Sequence, residues 1–123
     1  AYDISTSLDY LLAVLEFNDL ELLFDIAHAL VTCANSSNNF ANYSESLLAT
    51  GKCNQLHLCQ PSYEYGFEGI SAKDAHEIPN YELTESTLLI AKKWDIEYLT
   101  IEYYKDCEVL SSYLKYIKSS FKI

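Results

Sequence analysis

Hydrophobic positions in the first third of the chain recur at helical spacing. Leu8, Leu11, Leu12 and Leu15 follow a run of capping candidates, Ser5 to Ser7, and predict a first helix. The pattern stumbles at Phe17-Asn18-Asp19. Asn18 with Glu21 three residues later has the form of a capping box, and Leu20, Leu22, Leu23, Ile26, Ala29 and Leu30 continue to Cys33. This stretch reads as two short helices or one kinked one. After the polar break Asn35 to Asn39, Phe40 to Thr50 predicts a weaker helix. It is closed by Gly51, a residue able to take the positive φ that helix ends favour.

Gln60 to Asn80 contains both prolines and two of the three glycines, and reads as a long loop with a short helical turn begun at Ser71. The last third predicts one long helix from a cap at Thr84 to about Ser120. Leu89, Ile96, Tyr103, Leu110 and Ile117 recur at sevens, and Cys107, Leu114 and Phe121 form a second series, so the two interleave as a heptad seam. Glu82 and Glu85 at its start and Lys115, Lys118 and Lys122 at its end complement the helix dipole. The pattern as a whole predicts an all-α fold: a small disulfide-stabilised bundle of four or five helices with a long C-terminal helix. It forms a single domain over residues 1–123, with an aromatic loop at about 60–80. The seam is equally suited to packing within the bundle or to a homodimer.

Composition narrows the class. The chain has 123 residues, 50% of them hydrophobic, which is enough for one core and argues against disorder. No apolar run approaches the roughly 18 residues of a membrane span. It begins at Ala1 and has no Met, which we read as removal of the initiator. The net charge is −10 and every basic residue is Lys, so the chain lacks the basic footprint and guanidinium forks on which nucleic-acid binding relies. We therefore expect no nucleic-acid partner.

The four cysteines suit a disulfide framework. Cys33 and Cys107 both fall on core-facing positions, whereas Cys53 and Cys59 flank the short segment Asn54-Gln-Leu-His-Leu58. This favours pairing 33–107 with 53–59, ahead of 33–53 with 59–107. A bond closing the longer loop would be worth about 3–4 kcal/mol by loop entropy. Cys53, His57 and Cys59 offer metal-type donors without a fourth, and no metal or cofactor is expected. Asn35-Ser-Ser and Asn42-Tyr-Ser both match the glycosylation acceptor pattern. Set beside paired cysteines, they point to a secreted glycoprotein.

No catalytic motif is present. His28 lies three residues after Asp25, on the same face of a helix, and His76 stands among charges in Lys73-Asp-Ala-His-Glu77. Such placements are commonest in ordinary structural pairs. Tyrosine is abundant, and Tyr63, Tyr65 and Phe67 in the long loop form the leading candidate binding surface. The function expected from these features is a secreted, non-enzymatic helical binding protein whose partner is another protein. The alternatives are a carrier of a small apolar ligand held between helices and an enzyme without a recognisable motif.

Overall fold

The computed structural model describes residues 6–67 and 69–121; Ser5 and Lys122, read above as helix-end residues, lie outside them. The fold is mixed α/β, which corrects the all-helical expectation. Its elements in order are α1 (Leu8–Phe17), β1 (Leu22–Asp25), α2 (Ile26–Ser36), α3 (Phe40–Leu48), β2 (Cys53–Leu58), β3 (Gln60–Gly66), β4 (Gly69–Glu77), α4 (Tyr81–Lys93), β5 (Tyr98–Ile101) and α5 (Cys107–Phe121). Strands β1, β2 and β5 form a parallel sheet with β2 in the centre, and β3 and β4 form an antiparallel pair.

At the start of α1 and the end of α3 the sequence expectation holds, whereas the capping box at Asn18 does not form: the Asn18 amide donates to the Val14 carbonyl and closes α1 instead. Ser7 caps α1, its side chain accepting the Tyr10 N–H, and Gly51 takes φ +71° just after α3. Lys52 supplies the cation that α1 lacks in its last turn, its ammonium donating to the Leu15 and Asn18 carbonyls.

Three departures account for the changed fold class. Leu22–Asp25 continues the helical spacing on paper, yet it is a strand, and the helix starts only at Ile26 with Asp25 as its cap. A run of three apolar residues satisfies either period, and pairing with β2 decides it. The expected long loop is largely the β3–β4 hairpin. The expected long C-terminal helix is cut in two. Asp95 adopts φ +54°, and the Ile96 N–H bonds the Ala91 carbonyl at 2.8 Å while the Asp95 N–H bonds that of Lys92 at 3.4 Å. This is the helix-ending geometry usually marked by glycine, here carried by an aspartate. Tyr98-Leu-Thr-Ile101 then pairs with β2, so the heptad series runs through a strand and its flanking turns and builds no seam.

Alternation along the strands divides the sheet into two faces. Phe24, Leu56 and Leu58 lie on one face and belong to the main core with Ile26, Ala29, Cys33, Leu47 and Leu48; Leu99, Ile101 and the α4 residues Ile90 and Ala91 pack against it. The other face carries Leu23, 46% exposed, and Tyr98, 55% exposed, beside Gln55, and farther along it the row Asp25–His57–Thr100. Parallel sheets are ordinarily covered on both faces. Here α1 to α4 contribute to the core on the Phe24–Leu56–Leu58 face, and Leu23 and Tyr98 on the other keep about half of their surface exposed. The hairpin is tied to α2 by Asn35, whose amide donates to the Ala72 carbonyl and whose carbonyl accepts the Ala72 N–H, both at 2.9 Å.

No disulfide forms, and the expected pairings are corrected: all four cysteines are free thiols. Cys53 and Cys59 stand at opposite ends of β2, about 20 Å apart at strand rise, far beyond the ~7 Å Cα separation a disulfide tolerates. Cys33 is buried against the core, whereas Cys107 opens α5 at the surface. Denaturation without reductant should therefore expose four titratable thiols, and in the native protein a maleimide should label Cys107 first. Fewer than four thiols after denaturation would restore a covalent framework.

Candidate functional site

The residues that converge in space are those ending the three parallel strands, joined by two from the hairpin. The runs Leu22-Leu-Phe-Asp25, Leu56-His-Leu-Cys59 and Leu99-Thr-Ile-Glu102 each place apolar side chains in the sheet and a polar group at its C-terminal edge. Register brings these groups together. Asp25 pairs with His57 and His57 with Thr100, while the Glu102 N–H extends the ladder to the Leu58 carbonyl at 2.9 Å. In open α/β sheets this edge is the usual place for a ligand.

Each side chain is oriented by a neighbour. Asp25 caps α2, one carboxylate oxygen accepting the His28 N–H at 2.9 Å and the other lying 3.3 Å from His28 Nδ1. His57 Nδ1 is 2.8 Å from Glu102 Oε1, and its Nε2 is 3.2 Å from the Gln55 amide, which in turn donates to Thr100 Oγ1 at 3.1 Å. Asp74 on β4 faces two imidazoles with a single oxygen: Oδ2 is 2.7 Å from His28 Nε2 and 3.1 Å from His76 Nε2. Its other oxygen is 3.7 Å from the Cys59 thiol. Two sets of donor atoms lie within 4.8 Å of one another, Asp25–His57–Glu102 and Cys59–His76–Glu102, with Glu102 common to both.

His76 is held under strain. Its φ is +47°, a region costly for a residue with a β-carbon, and its Nδ1 is buried without a hydrogen-bond partner. The Tyr104 ring sits 5.8 Å from its own. Lys105 anchors the adjoining segment by donating to the Ala75 carbonyl and the Glu77 carboxylate.

The electrostatics reflect three carboxylates gathered in one place. Burial raises the Asp25 carboxyl above its ordinary value, with the Glu102 and Asp74 charges adding to it and contacts to His28 opposing. Burial pushes the Cys59 thiol up to about 12, helped by the Asp74 and Asp25 charges. Partial burial disfavours a charged His28, but the Asp74 hydrogen bond and the surrounding carboxylates outweigh it and raise its pKa. Burial likewise works against ionised Asp74, and is outweighed by the His28 hydrogen bond and the His76 and His28 charges, which lower its pKa.

A pH dependence follows for the metal-free protein. The raised His28 contributes stability that is complete below its unfolded value near 6.5 and lost as pH rises through the higher folded one. The lowered Asp74 contributes stability present above 3.8 and lost as pH falls through its lower folded value. The pair is thus worth most between those two unfolded values. Denaturation midpoints measured across pH should lose this local maximum in His28→Gln and Asp74→Asn; an unchanged profile in both would show that the pair contributes nothing.

His28 and Asp74 also border a cavity of about 520 Å³ between α2 and β4, lined in addition by Thr32, Asn35, Ala72 and Lys73.

Of the candidate residues, His57, Cys59 and His76 fall at the site, whereas Tyr63, Tyr65, Phe67 and Cys53 do not join it. Asp25 and His28 do meet, and His76 is a site residue. Asp74, Glu102 and Cys59 were missed as partners of a common centre. For Cys59 and Glu102 the signal is a thiol or acidic side chain that closes an apolar run; Asp74, inside Lys73-Asp-Ala-His-Glu77, carries no such signal. Of the residues read as donors around β2, Cys53 is left at the far end of the strand, while His57 and Cys59 join the cluster. Tyr63, Tyr65 and Phe67 lie on the same hairpin as Asp74 and His76, at 37%, 79% and 113% exposure, with Tyr63 opposite Ala72 and Tyr65 opposite Ile70. Of the two acceptor asparagines, Asn35 uses its amide nitrogen in the clasp to Ala72, and Asn42 is exposed in the first turn of α3. No protein family, curated protein or solved structure was found to match this chain, so the chemistry of the site rests on its own residues.

Proposed function

We propose that this protein is a divalent-metal-dependent enzyme. Its cation is held at the C-terminal edge of the parallel sheet and acts as a Lewis acid on an oxygen-bearing substrate or on water. The observation that carries this reading is the convergence of Asp25, His57 and Glu102, from the ends of three adjacent strands, with donor atoms within 4.8 Å of one another. Three carboxylates and three imidazoles from distant parts of the chain meet here, and they offer the oxygen and nitrogen donors that a divalent cation takes. A mixed oxygen and nitrogen donor set suits zinc, manganese or iron better than calcium.

In this reading Asp25, His57 and Glu102 hold the cation. The Gln55 amide nitrogen lies 3.2 Å from His57 Nε2 and helps to hold the ring in place. A bound cation lowers the pKa of its water toward neutrality and polarises a carbonyl or phosphoryl oxygen. His28 and Asp74 are placed to pass a proton between the centre and the adjoining cavity, whose volume suits a small molecule. No described helix is long and apolar enough to cross a membrane.

The test is direct. Protein stripped with a chelator and titrated calorimetrically with Zn²⁺ or Mn²⁺ at neutral pH should bind stoichiometrically and gain thermal stability. Absence of binding to either cation sinks the proposal. A second reading rests on the exposed Tyr65 and Phe67 at the hairpin tip, which favour a binding protein of the class expected from the sequence. A chain that takes no metal, yet retains a partner or apolar ligand lost in Tyr65→Ala/Phe67→Ala, would favour that reading.

A further inference from the structure

We infer that Cys59 is itself a metal ligand: with His76 and Glu102 it forms a thiolate-containing subsite beside the Asp25–His57–Glu102 triad, and this directs the centre to thiophilic divalent cations of the zinc class. The inference rests on the metal-centre reading and deepens it by naming the cation class.

Three observations carry it. The Cys59 sulfur, a His76 nitrogen and a Glu102 oxygen lie within 4.8 Å of one another, close to the span of donors around one ion. Cys59 is 1% exposed, so its sulfur is shielded from bulk oxidants and faces polar groups. His76 is held at φ +47° with a buried Nδ1 that has no partner in the protein, a strained and unsatisfied group that a ligand would account for. A cysteine serving only to fill the core would be expected among apolar neighbours, as Cys33 is. Cys59 instead lies 3.7 Å from a carboxylate.

Chemically, the cation displaces the thiol proton to solvent as the sulfur–metal bond forms, and the thiolate charge joins that of Glu102 in neutralising it. Glu102 has two oxygens, one of them 2.8 Å from His57 Nδ1, and so can bridge the two subsites. Soft sulfur favours zinc over magnesium or calcium, which prefer oxygen donors alone.

Cobalt(II) separates the outcomes. Chelator-stripped protein loaded with Co²⁺ should show ligand-field bands in the visible and, in addition, a sulfur-to-cobalt charge-transfer band in the near ultraviolet. The charge-transfer band should vanish in Cys59→Ser, with the ligand-field bands kept, and persist in Cys53→Ser. Zn²⁺ affinity should fall more than about 10-fold in Cys59→Ser, taking loss of an outer-shell partner as the lower bound. Ligand-field bands without charge transfer in the unmodified protein would overturn the inference and leave the metal centre standing. Absence of both would overturn the centre and the inference together. Because the decisive spectrum is that of the unmodified protein, a poorly folding variant does not blunt the test.

Discussion

Replacing Glu102 by Gln lowers the affinity for Zn²⁺ by about 100-fold or more, while the metal-free protein keeps its fold. The size of the effect comes from position. Glu102 is the member common to both donor sets, so one substitution weakens each. Loss of an outer-shell partner alone typically costs about 10–100-fold in metal affinity, and a shared ligand should exceed that. The metal-free protein is spared for two reasons. Glutamine preserves an acceptor for the His57 Nδ1 contact, and removing the charge relieves Asp25, whose pKa the Glu102 charge helps to raise. Calorimetric titration with a circular-dichroism melt on the same sample checks both halves. Wild-type affinity in Glu102→Gln would remove Glu102 from the centre.

The second large effect is on stability. Leu56→Ala should cost about 2–5 kcal/mol, a substantial share of the roughly 5–15 kcal/mol that holds a domain of this size together. Leu56 is the middle of the central strand, has no exposed surface, and sits between Phe24 on β1 and Leu99 on β5. Truncation leaves a void beneath the sheet that both neighbouring strands would have to close. Leu89, read from the heptad as a core position, is 62% exposed and should tolerate alanine with a change within about 0.5 kcal/mol. Urea denaturation of the two variants distinguishes the sheet-centred core from the helical seam. A larger loss at Leu89 than at Leu56 would reject the sheet.

The two effects are linked through one strand. Leu56 and Leu58 point into the core, while His57 points to the opposite face, so the packing that stabilises β2 also fixes the direction of the imidazole. Loosening the core at Leu56 should therefore weaken metal binding as well, without touching a ligand.

Export now has less behind it. It rested on paired cysteines as well as on Asn35 and Asn42, and the thiols are free. Local caps were legible only in part: Ser7 lies in the capping run read before α1, whereas Asn39 reads only as part of a polar break and Asp25 not as a cap. Ser7 caps α1 and Asn39 caps α3, each accepting an N–H three residues on, and such bonds need nothing beyond the adjacent chain. The end of α3 at Gly51 was equally local. By the same measure α4 is capped by Asn80, four residues before Thr84, the cap read from the sequence.

What the sequence by itself determined is this local layer: helices α1 and α3, the end of α3, the acidity of the chain and its capacity for one core. Strands β1, β2 and β5 were decided only by tertiary structure. Each is a short run of four to six residues, whose apolar positions suit a helix as well as a strand. Their hydrogen-bond partners lie 30 or more positions away, as with Leu22 and Cys53 or Gln55 and Tyr98. The site belongs to the same layer. Asp25, His57, Cys59, Asp74, His76 and Glu102 have no common spacing, because parallel pairing across intervening helices and a hairpin brings them to one edge. Periodicity reports the neighbours along a chain, and this centre is built from neighbours across it.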